Sequence, residues 1–137
     1  DLALFRHEAP PMDVMLRFSR RCDRLEAHFA NERFEIIIPR ARRKFVPRGF
    51  QISITELEEM QVEKCLAHVG DFLRMHKPQL RDYLAHGDGR VIELDFGVNC
   101  DAITTPIWSI RFRSALVTLV AEVGIELTVT YYAPTGA

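Results

Sequence analysis

Val91-Ile92-Glu93-Leu94-Asp95-Phe96-Gly97-Val98 opens the stretch that decides the fold, and Ile125-Glu126-Leu127-Thr128-Val129-Thr130-Tyr131-Tyr132 closes it. In the first, Ile92, Leu94, Phe96 and Val98 alternate with Glu93, Asp95 and Gly97, the period of a half-buried strand. In the last, Ile125, Leu127, Val129 and Tyr131 alternate with Glu126, Thr128, Thr130 and Tyr132. Between them, Asn99 to Pro106 is polar and reads as a loop. Ile107 to Phe112 alternates again and predicts a strand antiparallel to 91–98, because short connections join adjacent strands. Ser114 is placed to cap a helix. Leu116, Val117, Leu119, Val120 and Val123 follow at helical spacing, and Gly124 suits a left-handed stop. Strand 107–112, helix 114–123 and strand 125–132 therefore predict a β-α-β crossover with parallel outer strands.

Upstream, His86-Gly87-Asp88-Gly89 reads as a turn. Thr55-Glu56-Leu57-Glu58 fits a capping box, so a long helix is expected from Thr55 to about Lys77. Val62, Leu66, Val69, Phe72 and Leu73 form its buried stripe, and Pro78 should stop or restart it. Phe50 to Ile54 alternates and reads as a strand. Phe34 to Ile38 is β-branched and apolar, a strand ended by Pro39. Residues 23–30 fit a short helix capped by Asp23 and closed at Asn31, although Leu25, Ala27 and Phe29 also alternate; Leu, Glu and Ala favour the helix. Val14 to Ser19 reads as the first strand. Residues 1–11 read as an arm, and residues 12–137 as one domain. The order implies an α+β two-layer sandwich. Its sheet is mixed and mostly antiparallel, two main helices lie on one face, and it ends in a β-α-β unit.

Composition narrows the function. The chain has 137 residues, 47% of them hydrophobic and 27% charged, with a net charge of −1. Neither nucleic acid nor an anionic membrane is attracted by such a balance as a whole. Charge is uneven along the chain. Residues 1–50 carry 11 Lys/Arg against 7 Asp/Glu, whereas residues 51–137 carry 7 against 12. Cys22, Cys65 and Cys100 are odd in number and no CxxC occurs, which fits a reducing, cytoplasmic setting. No apolar run reaches the ~20 residues of a membrane span.

Two charged segments stand out as partner-binding candidates. One is the basic run Arg40, Arg42, Arg43, Lys44 and Arg48; the other is the acidic group Glu56, Glu59 and Glu63, with Glu58 between them. Either could meet a protein of opposite charge. The basic run could instead hold nucleic-acid phosphates, although Phe45 is its one interleaved aromatic. Cys65 and His68 lie three apart on a helix but lack the further ligands of a zinc site. Glu93 and Asp95 share one strand face, which reads as the wet side of a sheet. If covered, they should pair with Arg111 or Arg113. No GxSxG, GxGxxG or phosphate loop occurs, so no catalytic residue and no cofactor is assigned. A small-molecule or enzyme site near the 99–106 loop is a further alternative. The final strand, if at an edge, could pair with a second copy.

The order of an amphipathic helix, strand 91–98, Phe112-Arg113-Ser114-Ala115-Leu116 opening a helix, and Val123-Gly124-Ile125-Glu126-Leu127 leading into a tyrosine-ended strand carries a resemblance. Leu66 to Tyr132 resembles small uncharacterised bacterial α/β domains, some grouped with immunity proteins of toxin–antitoxin-type conflict systems. The resemblance implies a non-catalytic protein-binding domain, such as an inhibitor that sequesters a partner. It implies no catalytic residue.

Overall fold

The computed structural model describes residues 12–39, 49–57, 62–99 and 110–132. Four strands and three helices follow one another as β1 (Met12–Phe18), α1 (Asp23–Asn31), β2 (Phe50–Leu57), α2 (Val62–Leu84), β3 (Ile92–Asn99), α3 (Ser114–Val123) and β4 (Glu126–Tyr132). The sheet order is β2-β1-β3-β4. β1 runs antiparallel to both β2 and β3, and β3 runs parallel to β4. This is the expected α+β class with a mixed, mostly antiparallel sheet. Even-numbered residues of β1 and β3 point into one core: Met12, Val14, Leu16 and Phe18 with Ile92, Leu94, Phe96 and Val98. Leu25 and Phe29 of α1, Val69, Phe72, Leu73 and Leu80 of α2, and Leu116, Leu119, Val120 and Val123 of α3 cover it.

Several expectations are corrected. The capping box at Thr55 is not a helix start: β2 continues to Leu57, and α2 begins at Val62. The reason is a bulge. Val14 faces Thr55 while Met15 faces Ser53, so Ile54 is an extra residue between them. The bulge turns Thr55 inward beside Ile54, and both are buried. Pairing with β1 then claims the backbone that a helix would have used. Nor does Pro78 end α2, which runs on to Leu84. Buried Phe72, Leu73 and His76 before the proline, and Leu80 and Tyr83 after it, hold both halves against one core. That packing outweighs the ~3 kcal/mol that an interior proline typically costs.

Phe34 to Ile38 is not a strand. Only Ile37 touches the sheet, exchanging two backbone hydrogen bonds of 2.9 Å with Gln51. Phe34 instead packs edge-on against Phe29 and Phe72. The proposed strand 107–112 also fails where it is described: residues 110–113 have no strand pairing. β3 already has β1 on one side and β4 on the other, which leaves no place beside it. Residues 107–109 and the 99–106 loop beyond Asn99 lie outside the described residues. The terminal β-α-β unit exists, but its first strand is β3.

Helix ends show how local chemistry fits this packing. α1 is a helix, as Leu, Glu and Ala favoured, and its N-cap is Cys22 rather than Asp23. Glu26, one turn on, reaches back to accept the Cys22 N–H at 2.8 Å and so satisfies a donor at the helix start. At its other end Arg33 takes φ 69°, and the Phe34 N–H bonds the Phe29 carbonyl at 3.0 Å. α3 starts after Arg113, so Ser114 is its first helical residue and no side chain caps it. Gly124 closes α3 at φ 88°, as its position predicted.

Candidate protein-binding surface

The face of the sheet away from the helices is polar and tied together across all four strands. Arg17 of β1 is its centre. Its guanidinium donates to Gln51 of β2 at 3.1 Å, to Glu93 of β3 at 3.3 Å and, more closely, to Asp95. Thr128 of β4 donates to Glu93 at 3.1 Å, and Thr130 donates to Asp95 at 2.7 Å. Asp95 is only 1% exposed, so the expected wet pair is half-covered at Glu93 and buried at Asp95. The cation comes from Arg17, not from Arg111 or Arg113, because β1 occupies the flank of β3 that those residues were expected to take. With every carboxylate contact taken by a cation or a hydroxyl, this cluster is built as a lock across strands. Its two acids also make the face a poor seat for phosphates.

Of the charged candidates, Arg40, Arg42, Arg43, Lys44, Arg48 and Glu59 lie outside the described residues. Glu56 sits in β2 opposite Asp13, not in a helix. Glu63 is exposed in the first turn of α2 and meets Arg113 at 3.6 Å, a solvent-screened pair. Cys65 and His68 do not converge: Cys65 is buried and His68 exposed, and burial pushes the Cys65 thiol up to about 11. Among the described residues no group of three or more His, Cys, Asp or Glu is placed to hold a metal ion.

Among the described residues, two of the clefts indent the helix layer. One, of about 570 Å³, runs between α2 and the start of α3 over Val62, Leu66 and Leu116, with Arg74, Arg111 and Arg113 at its rim. Asp71 takes Arg74 at 2.9 Å. The other, of about 520 Å³, lies between α1 and the second half of α2 beside His28, Gln79 and Tyr83. Next to it, His28 Nε2 and His76 Nδ1 meet at 2.9 Å, one donating and one accepting. His76 is buried among Phe29, Phe34 and Phe72.

The sheet's two edges differ. β2 is blunted by the bulge at Ile54 and by the Ile37 bridge. β4 pairs with β3 in an unbroken register, and among the described residues no strand pairs with its other side. Its helix-side row is apolar and partly exposed, Leu127 by 38%, Val129 by 46% and Tyr131 by 60%. Val117 of α3 is 47% exposed as well. The alternation of 125–132 was legible as a strand, but not which of its two rows would stay partly exposed. Among the described residues no helix is long and apolar enough to cross a membrane. Comparison with protein-family models, with curated proteins and with solved structures found no match.

Proposed function

We propose that this chain is a protein-binding domain whose docking element is the β4 edge. One observation carries the reading: β4 has an open side among the described residues and an exposed apolar row of Leu127, Val129 and Tyr131 beside it. An added strand would take main-chain hydrogen bonds from the edge and cover that row, the usual division of affinity and specificity in strand addition. Proteins that must stay unpaired place lysine, proline or a bulge on such an edge. β4 has none of these between Glu126 and Tyr132. An immunity-type inhibitor that sequesters its partner would be one use of such an edge.

The test is capture with a tagged chain from a lysate of its source cells, with nuclease treatment. A protein retained by the wild type is expected to be lost with Val129→Lys. Val129 is 46% exposed, so the substitution places a charge on the edge without emptying the core. Equal capture by both proteins would remove the edge as the docking element.

A further inference from the structure

We propose that the occupant of the β4 edge is a second copy of this chain, added antiparallel about a two-fold axis through Val129; this rests on the protein-binding reading of that edge. Two-fold dimers place one patch against itself, so the patch must be self-complementary. A two-fold axis perpendicular to a sheet makes two identical edges antiparallel. Side chains alternate with period two, so the axis must pass through a residue and not between residues; otherwise each row would meet the wrong face of its partner. Through Val129, the middle of the seven residues of β4, the axis pairs the whole strand with its copy. Any other residue leaves part of the described strand unpaired.

The pairs this axis creates are compatible. Val129 faces Val129, Thr128 faces Thr130, and Leu127 faces Tyr131. Glu126 is the only charged residue of the strand, and its two copies lie at opposite ends of the pair. No like charges meet across the strands, which would be destabilising.

The helix above the edge fits the same partner. In the ten residues of α3, Ser114 to Val123, Glu122 is the only charge. It is directed at α2, where Lys77 reaches its carboxylate at 3.2 Å and Arg81 donates to its carbonyl. Ala115 lines the cleft against α2. At 100° per residue, Val117 lies roughly 140° around the helix from Glu122 and about 160° from Ala115. It is therefore on the flank away from α2. α2 packs toward β2 and α3 toward β4, so that flank is on the β4 side. A surface helix usually presents charge outside its buried stripe; this flank carries Val117, Ala121 and Ser114 and no charge. In the dimer the flanks of the two α3 helices lie on the same side of a continuous eight-stranded sheet, above the joined apolar rows.

The experiment is sedimentation equilibrium over a wide concentration range on the wild type, on Val129→Lys, on Val129→Glu, and on an equimolar mixture of the two variants. Far-UV circular dichroism confirms that each is folded. The wild type is expected at two chain masses and each variant alone at one. The mixture returns to two, because the introduced lysine faces the introduced glutamate only if residue 129 lies on the axis. A mixture that stays at one mass overturns the axis. A wild type at one mass throughout overturns the second copy. If that monomer still loses a lysate partner on Val129→Lys, the edge remains a protein-binding surface. If it loses nothing, the reading of the edge falls too.

Discussion

His76 shows how one buried residue couples this fold to pH. Its ring is enclosed by Phe29, Phe34 and Phe72 and shares a hydrogen bond with His28. Burial lowers its pKa below the usual histidine value, the proximity of His28 lowers it further, and Glu32 opposes the shift. The folded protein thus holds His76 neutral where the unfolded chain would begin to protonate it. Because the unfolded state binds the extra proton, stability must fall as pH drops through the unfolded value of about 6.5, until the folded value is reached. Urea unfolding at successive pH values should show that loss below about pH 6.5, and His76→Gln should flatten it. An unchanged slope would mean that the pH dependence arises elsewhere. Arg33 offers a second check at the same scale. Its φ of 69° puts a side chain where glycine is preferred. Arg33→Gly should stabilise the protein by about 1 kcal/mol, read as a higher Tm; a lower Tm would show that the arginine side chain contributes more than its backbone costs.

At the scale of elements, Arg17 joins strands that the chain brings together from far apart. It serves Gln51, Glu93 and Asp95, on the strands to either side of β1. Asp95 is buried while the Arg17 side chain is 38% exposed, so the pair is asymmetric. Arg17→Met would leave the carboxylate covered without its cation. One-sided loss of a fully buried pair costs about 3–5 kcal/mol, and the partial exposure of Arg17 should reduce this to roughly 2 kcal/mol. Urea unfolding measures it, and a change near zero would show that Thr130 alone satisfies Asp95. The partner of Glu93 and Asp95 was not legible from residue order. Arg17 lies far from them in the chain, and only the β1–β3 register sets them side by side. The same holds for Thr55. Its local sequence is a sound helix cap, but a bulge and long-range pairing with β1 decided otherwise.

For the whole molecule, the amino-acid order alone determined what rests on near neighbours. Alternation set β1, β3 and β4, helical spacing set the buried stripes of α2 and α3, and Gly124 set the end of α3. Together these were enough for the α+β class with helices and strands in two layers, because period and end residues are encoded within a few positions. What needed contacts distant in the chain was decided by the tertiary structure alone. The sheet order β2-β1-β3-β4 gave β3 two neighbours and left none for 107–112. Among the described residues it also placed β4 at an edge with its apolar row partly exposed, beside an α3 flank without charge. Alternation states that a strand has an apolar row. Whether that row is buried or exposed depends on which elements come to lie over it, and that is set by long-range packing and not by the strand itself.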